Sequence, residues 1–353
     1  MSEIRRIPLS VLDTAPVWEG ETATQALRAT VELAEAVDRL GYRRYWLAEH
    51  HNLPNVATSS PVVVAGAIAA RTRGLRVGAG GVMLPNHAPL VVAEQFGTLH
   101  ALHPGRVDLG IGRAPGTDPG TARALRRSAK PLDGRDFPAQ LAELIEYFQP
   151  AGRPSANAAP RIEAVPAGDN PVPVWVLGSS GSSAELAGVL GLPYAHAHHF
   201  NPDSTRSALE LYRRAFSPSA ALDAPYALVA AIAVVAESDE RAHHLAAPLR
   251  VATMLAMRGM NPPYTPADKA AEIPLGAQDA AISRRMLGPQ LIGGPDTVRA
   301  RFDELVETTG LDELMALTMI HDPRDRIRSY ELLAGITGAT ADTRPAQASA
   351  APR

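Results

Sequence analysis

The sequence predicts an α/β protein that folds as a single (β/α)8 TIM barrel. Short β-rich runs alternate strictly with longer helical patterns, and eight such runs are present. This alternation predicts a parallel sheet, because right-handed crossovers return each helix over the sheet, and eight such units close into a barrel. The length of 353 residues agrees, since α/β barrels of about 250 residues or more fold as one unit.

The strand candidates are short runs rich in β-branched, aromatic and aliphatic residues. They cover residues 7–12, 44–47, 75–80, 107–111, 174–177, 194–196, 226–235 and 313–319. An open doubly wound sheet is the main alternative, but it usually carries a glycine-rich turn after strand one. Here strand one leads into Asp13-Thr14-Ala15-Pro16, so the barrel is favoured.

Helical periodicity fills the segments between these strands. Residues 24–40 place Leu27, Val31 and Val37 near one face, and a second helix pattern follows Gly293-Gly294-Pro295. We therefore expect one barrel domain over residues 1–338.

Three stretches interrupt the alternation. Residues 150–173 are rich in proline and alanine and are interpreted as a long loop, and residues 339–353 as a disordered tail. Residues 258–291 form a long insertion after strand seven and its helix, which we interpret either as a lid or as a disordered surface loop.

Composition excludes several function classes. The net charge is −3 without a basic block, which indicates neither a nucleic-acid nor a membrane partner. The absence of cysteine excludes disulfides, thiolate metal sites and a cysteine nucleophile. The first residues lack the apolar stretch of a signal peptide, and no apolar run is long enough to span a bilayer. We therefore expect a cytoplasmic protein.

Polar and glycine residues collect directly after five successive strands, where barrel enzymes place their chemistry. Each could also be an ordinary loop, turn or helix-cap residue. The corners contain Glu49-His50-His51-Asn52, the segment from Gly80 to His87, Gly112-Arg113-Ala114-Pro115-Gly116, the segment from Gly178 to Ser183, and the segment from His196 to Asn201. Together they predict an active site at the carboxyl ends of the strands.

These corner motifs resemble those of the bacterial-luciferase-like flavin-dependent monooxygenases, in their stand-alone group 1 branch. The matching segments are RYWLAEHH at 44–51, VGAGGVMLPNH at 77–87, PGRVDLGIGR at 104–113, WVLGSS at 175–180 and LIGGP at 291–295. The resemblance runs in order from Ile7 to Gly335. The light-emitting subunit of the family has a cysteine in place of Gly112 and a glutamate in place of Ser179, which argues against light emission here.

The resemblance implies a cofactor, a reaction and a set of site residues. FMN would be bound in reduced form, usually supplied by a separate flavin reductase. Molecular oxygen would add at the flavin C4a position, giving a peroxyflavin that oxygenates an organic small molecule. Trp18, Met83, Leu84 and Phe200 would make that substrate an apolar one if they line the site, but each could equally be ordinary packing at the barrel mouth. Family members are often homodimers. Position by position, the resemblance assigns catalysis to His50 and cofactor binding to Ala79, Gly80, Gly81, Gly112, Arg113, Gly178, Ser179, Ser180 and Ser183.

Within this set the parts have distinct chemistry. A guanidinium such as that of Arg113 can hold phosphate oxygens bidentately, and a helix start after Ser179 supplies N–H donors. Gly80–Gly81 matches a position that is often a non-prolyl cis peptide beneath the flavin ring. His50 could transfer protons near neutral pH.

Three alternatives stay open at this stage. The same barrel could bind the deazaflavin F420 and transfer hydride, with Arg126, Arg127 and Lys130 available for its polyglutamate tail. A metal-dependent hydrolase could use histidines such as His50 and His198, although strand one lacks the expected His-x-His pair, and we assign no metal ligands. The barrel could also bind flavin without turnover.

Overall fold

The computed structural model describes residues 7–126, 136–149 and 162–338. Within these ranges the strands are β1 Leu9–Asp13, β2 Arg44–Leu47, β3 Arg76–Met83, β4 Val107–Gly112, β5 Val174–Gly178, β6 Tyr194–Ala197, β7 Ala227–Val235, β8 Leu291–Gly293 and β9 Glu313–Leu317. The helices are α1 Ala23–Arg39, α2 Pro61–Arg71, α3 Pro89–Leu102, α4 Pro119–Arg126, α5 Phe137–Tyr147, α6 Gly181–Val189, α7 Thr205–Ala215, α8 Asp239–Leu245, α9 Ala247–Ala256, α10 Ala267–Glu272, α11 Ala277–Leu287, α12 Pro295–Thr309 and α13 Pro323–Thr337.

Eight parallel strands close into a ring in the order β1, β2, β3, β4, β5, β6, β7 and β9, with β9 pairing back to β1. The ends of these eight strands differ from the sequence-based prediction by at most three residues. The predicted (β/α)8 barrel is therefore confirmed. The short β8 was not predicted, and it lies outside the ring beside the last residues of β7.

Side chains alternate between the barrel interior and the surrounding helices, as the two-residue period of a strand requires. Val11, Tyr45 and Leu47 pack in the layer between the strands and the helices. Leu12 and Trp46, on the same two strands, lie in the separate cluster that fills the barrel interior. The cavity inside the strands is thus largely packed with side chains, and ligands have room only at its ends.

The amino-terminal end of the barrel is closed by a buried network of charged side chains. The Arg44 guanidinium donates to Asp108 Oδ2 at 2.6 Å and to Glu313 Oε1 at 2.9 Å, and Arg76 donates to Asp108 Oδ1 at 2.6 Å. Burial alone would raise the pKa of Asp108, but the charges of Arg44 and Arg76 outweigh it and hold that pKa well below its usual range. Asp108 is therefore an ionised structural group.

Local signals explain several element boundaries. A capping box begins α1. The side chain of Thr22 accepts a hydrogen bond from the backbone N–H of Gln25, and the side chain of Gln25 accepts one from the backbone N–H of Thr22. Gly310 ends α12 in the left-handed conformation, which glycine adopts at little cost. The helix predicted over residues 24–40 is thereby confirmed with a shift of one residue at each end.

The insertion of residues 258–291 is folded, so its interpretation as a disordered loop is wrong. It contains α10, α11 and the first residue of β8, and its Tyr264 backbone pairs with Val17 and Glu19 after β1. Tyr264 also contacts Trp18, with ring centroids 5.5 Å apart. In the predicted loop of residues 150–173, the described part is irregular apart from one short turn at Ala167–Asp169. The predicted disordered tail, residues 339–353, lies outside the described residues.

Candidate functional site

The five predicted corners lie together at the carboxyl end of the barrel. They follow β2, β3, β4, β5 and β6, which are neighbours in the ring and run parallel. Hydrogen bonds join the corners to one another: Thr117 donates to the backbone oxygen of His51, and Asn86 donates to that of Pro115. The predicted site residues therefore share one end of the molecule.

At this end of the barrel the glycines of β3, Gly80 and Gly81, form a surface of backbone atoms, here called the glycine floor. The Gly80–Gly81 peptide bond is cis, and the pairing register between β3 and β4 shifts there. A Cβ atom on Gly80 would lie 2.9 Å from Trp46, and one on Gly81 would lie 2.7 Å from the Gly110 carbonyl oxygen. Neither position has room for a side chain, so backbone atoms alone face the space above. The preceding Ala79 is fully buried and pairs with β2 and β4.

Gly112 ends β4 beneath the side chain of Met83. A Cβ atom there would lie 2.8 Å from the Met83 sulfur atom. Met83 also covers Gly116, where a Cβ atom would lie 3.1 Å from it. A flexible thioether thus packs against the glycine-lined edge of the floor.

His50 is half-buried in the corner after β2. Its Nδ1 lies 3.4 Å from the Gly116 carbonyl oxygen, so the neutral ring can donate from Nδ1 and keep a lone pair on Nε2. Burial lowers the pKa of His50, while the Gly116 bond and the charge of Glu49 oppose that effect. His50 is therefore a neutral base at neutral pH.

Glu49, which the sequence analysis did not assign to the site, is almost fully buried beside His50. Its Oε1 lies 2.9 Å from His51 Nε2 and 2.7 Å from His87 Nε2, and its Oε2 accepts from the Met83 backbone N–H at 3.3 Å. Burial acts to raise the pKa of Glu49, but the hydrogen bonds and charges of His87 and His51 outweigh it. Glu49 thus connects the corners after β2 and β3.

The start of α6 follows β5 through a tight turn. A Cβ atom on Gly178 would lie only 2.4 Å from that of Ser183, so glycine allows the helix to approach the strand. Ser180 is the N-cap residue in extended conformation, and no side chain caps the first turn. The backbone oxygen of Ser179 accepts from Asn201 and Ser204, which fixes the turn. This helix start presents free backbone N–H groups.

Arg113 lies in the neighbouring corner after β4. Its side chain is exposed and has no hydrogen-bond or ion-pair partner in the part of the chain that the structure describes. The other glycine-rich helix start of the barrel, at α12, is different, because Asp239 accepts from the Gly294 N–H at 2.7 Å and occupies it. An unpaired guanidinium in one corner and an uncapped helix start in the next corner of the ring are both features that suit an anionic group such as phosphate.

The histidines at the end of β6 and in the corner after it each contact a different neighbouring group. His196 Nδ1 lies 3.0 Å from the Tyr194 hydroxyl, His198 Nδ1 lies 2.8 Å from the Thr205 hydroxyl, and His199 Nδ1 lies 2.9 Å from the Ala230 carbonyl oxygen. Within the described ranges, they do not belong to a cluster with metal-ligand spacing. The geometry therefore gives no support to a hydrolase that uses them as ligands.

The burial of two of these histidines predicts that the protein loses stability in acid. Burial lowers the pKa of His196 and of His199 to about 4, whereas a histidine in an unfolded chain has a pKa of about 6.5. Below pH 6.5 the unfolded chain binds protons first, so stability falls between pH 6.5 and about 4, by about 3 kcal/mol for each residue. Urea unfolding at pH 7.5, 5.5 and 4.5 would measure this. A free energy of unfolding that stays constant over this range would contradict the buried neutral state.

Apolar residues predicted to line the site have different environments. Leu84 and Trp18 are buried in packing contacts, so they are part of the wall rather than open contact surface. Phe200 is 62% exposed and stacks on His199, with ring centroids 4.3 Å apart. The folded insertion reaches this end of the barrel through its contact with Trp18. Among the described residues, no helix combines the length and the apolar character needed to cross a bilayer.

Comparison with known proteins agrees with this geometry. A family model described as luciferase-like monooxygenase matches residues 7–313. The chain is 46% identical over 332 residues to the uncharacterized protein YvbT of Bacillus subtilis. The aligned region covers 93% of this chain and 96% of YvbT. It is 42% identical over 334 residues to a luciferase-like monooxygenase of Escherichia coli K12, with coverage of 93% and 96%.

Solved structures share the fold over nearly the whole chain. The crystal structure of apo-MsnO8 has a TM-score of 0.87 at 39% identity, covering 95% of this chain and 99% of MsnO8. Two more distant structures are similar in fold alone. The FMN complex of the oxygenating constituent of 3,6-diketocamphane monooxygenase has a TM-score of 0.68 at 19% identity, with coverage of 94% and 98%. An F420-dependent secondary alcohol dehydrogenase has a TM-score of 0.64 at 14% identity, with coverage of 94% and 99%.

Proposed function

Because the chain belongs to the luciferase-like monooxygenase family, we propose that it is an FMN-dependent monooxygenase that oxygenates a small organic molecule. One observation carries this proposal. Arg113, which has no partner among the described residues, follows β4, and the uncapped start of α6 follows β5, the neighbouring strand. A flavin mononucleotide needs one anion site at the distance of its ribityl chain from a flat backbone surface. The corners after β4 and β5 would supply the anion site, and the glycines of β3 would supply the backbone surface.

The phosphate of FMN would be held by charge and by backbone donors. The Arg113 guanidinium can form two parallel hydrogen bonds to phosphate oxygens. The N–H groups at the start of α6, around Ser180 and Ser183, add donors and the positive end of the helix dipole. Gly178 and Ser179 form the turn that leads into this helix start, with Gly178 allowing the close approach of Ser183 and Asn201 holding the Ser179 carbonyl oxygen.

The flavin ring would lie on the floor made by β3 and β4. At Gly80 and Gly81 backbone atoms form the surface, because the neighbouring strands leave no space for side chains. Ala79 and Gly112 would support the ring from β3 and β4, with the flexible Met83 side chain moving off Gly112 to admit it. Reduced FMN, once bound, would supply the electrons that activate molecular oxygen, and a separate flavin reductase would supply the reduced cofactor.

His50 would handle protons at the reacting edge of the flavin. Its neutral ring keeps Nε2 available as an acceptor, while the Gly116 carbonyl oxygen holds Nδ1. An imidazole with a lowered pKa can accept a proton at neutral pH and return it during turnover. The exposed Phe200 and the half-buried Met83 favour an apolar organic substrate at this edge.

Cofactor identity is tested by equilibrium titration with FMN and F420, each in oxidised and reduced form. We expect reduced FMN to bind most tightly and F420 to bind weakly. Tighter binding of F420, or no binding of FMN in either redox state, would contradict the proposal. The residues that could hold a polyglutamate tail, Arg127 and Lys130, lie outside the described residues, as does the side chain of Arg126. Incorporation of label from ¹⁸O2 into a product would then distinguish oxygenation from hydride transfer.

We also propose that the protein is a homodimer that buries the outer face of α2. This helix carries no charged residue before Arg71, and Val63 on its outer face is 68% exposed. A helix that is apolar on all sides is normally covered. Val91, in the first turn of the neighbouring α3, is 44% exposed and would be covered together with Val63.

The dimer predicts a specific effect of one charge. Val63→Glu should shift the mass in solution from that of two chains to that of a single 37.3 kDa chain, because a carboxylate would be buried unpaired at the interface. Light scattering after size exclusion measures this. Val189→Glu, at an exposed position on α6, is the matched control and should leave the dimer intact. A wild-type protein that elutes as a single chain would contradict the dimer.

A further inference from the structure

Three ligand-type atoms converge beside His50 in an arrangement that the flavin proposal does not use. Glu49 Oε1, His51 Nε2 and His87 Nε2 all lie within 4.8 Å of one another. Both imidazoles direct Nε2 at the same carboxylate oxygen, at 2.9 Å for His51 and 2.7 Å for His87. The three atoms therefore meet at Glu49 Oε1, which both imidazoles contact.

The donor set determines which ion could occupy that point. Two imidazole nitrogens and one carboxylate oxygen are the protein ligands of open zinc sites, in which water takes the fourth position. This set favours Zn²⁺, Co²⁺ and similar transition metals, whereas Mg²⁺ and Ca²⁺ prefer oxygen ligands alone. In a tetrahedral zinc site neighbouring ligand atoms are about 3.4 Å apart, so an entering ion would need the Glu49 contacts to open by roughly half an ångström.

The surroundings of Glu49 are suited to a cation. The residue is 1% exposed, and its Oε2 is held by the Met83 backbone N–H, which turns Oε1 toward the two histidines. In the described ranges no lysine or arginine pairs with Glu49, so its charged or polar side-chain partners are the two imidazoles. The His87 side chain is 29% exposed, which gives an ion and its water ligand access from the barrel mouth.

We propose that Glu49, His51 and His87 bind one divalent transition-metal ion, with water completing its coordination. The ligands come from the corners after β2 and β3, so the ion would fix these two corners to each other directly beside His50. This inference does not depend on the flavin, and it adds a metal site to a protein for which the sequence indicated none.

The test uses the full-length protein, stripped of metal with a chelator and free of flavin. Zn²⁺ is titrated by calorimetry, and Co²⁺ is titrated while its visible d–d absorption is recorded. We expect one equivalent of either ion to bind saturably and the cobalt spectrum to indicate four or five ligands. His51→Ala and His87→Ala should each weaken binding by at least about 10- to 100-fold, since even residues that only support metal ligands have effects of that size.

The controls separate a built site from surface histidines and from misfolding. His243→Ala removes an exposed histidine of α8 and should leave binding unchanged. Because Glu49→Gln alters a buried group and could unfold the chain, the two half-buried histidines carry the test, with circular dichroism reporting the fold. No saturable binding by the wild-type protein, or equal binding by His51→Ala and His87→Ala, would overturn the proposal and leave the three residues as a hydrogen-bonded group only.

Discussion

Replacing His50 with alanine is expected to slow substrate oxygenation by about 10²- to 10⁴-fold, the usual range for loss of a general acid–base group. The reason is local: His50 is the half-buried imidazole whose Nε2 lone pair is free, because Gly116 engages Nδ1. The rate of ¹⁸O transfer from ¹⁸O2 into product, at saturating reduced FMN, measures the effect. The dissociation constant of reduced FMN should change little, since the proposed phosphate site lies on other corners.

Two further results would identify the role of His50. Because burial lowers its pKa, the neutral base persists below pH 6.5, so the wild-type rate should be maintained further into acid than an exposed histidine would allow. The alanine variant, which lacks this imidazole, should not show the maintained rate in acid. His103→Ala, at the amino-terminal end of the barrel, is the matched control. Unchanged product formation in His50→Ala would show that the assignment is wrong.

Replacing Asp108 with alanine is expected to destabilise the barrel by about 3–5 kcal/mol, the cost of leaving buried partner charges uncompensated. Asp108 accepts from Arg44 and Arg76 at 2.6 Å each, and from the Trp46 indole N–H at 3.2 Å. Arg44 would keep only its hydrogen bonds to Glu313 and its place over the Trp175 ring, and the buried Trp46 N–H would lose its acceptor. The free energy of unfolding in urea measures the loss.

A surface ion pair supplies the comparison for Asp108. Glu331 pairs with Arg328 at 2.9 Å, but both side chains are more than 40% exposed, so Glu331→Ala should change stability by less than about 0.5 kcal/mol. A loss of less than about 1 kcal/mol for Asp108→Ala would mean that the network is solvated or rearranges.

The barrel was predictable because its signal repeats along the chain. Strands such as Arg44–Leu47 and Val174–Gly178 have short β-rich sequences between helical patterns, and the alternation fixes the topology. The largest error in a strand end and the one missed strand have local causes. β3 continues to Met83 because the register shift at Gly80 and Gly81 carries the strand past glycines that normally end one. The strand Leu291–Gly293 is only three residues long and overlaps a turn motif.

Less of the candidate site could be predicted. The sequence indicated which corners carry polar residues, and the fold brings His50, Arg113 and Ser180 to the same end. It did not indicate that Glu49 meets His87, because that contact joins positions 38 residues apart and depends on side-chain packing. Likewise, the buried network around Asp108 depends on strand order, which places Arg44, Arg76 and Glu313 on the inner face of the barrel.

We propose that the phosphate of a flavin binds at Arg113 and the start of α6. This central claim is tested most directly by anaerobic titration of wild-type protein and Arg113→Ala with reduced FMN, with reduced riboflavin as a ligand that lacks the phosphate. Arg73→Ala, an exposed arginine at the opposite end of the barrel, is the matched control. We predict that Arg113→Ala weakens binding of reduced FMN by about 10- to 100-fold and leaves riboflavin binding unchanged. Equal affinity of Arg113→Ala and wild type for reduced FMN would contradict the account.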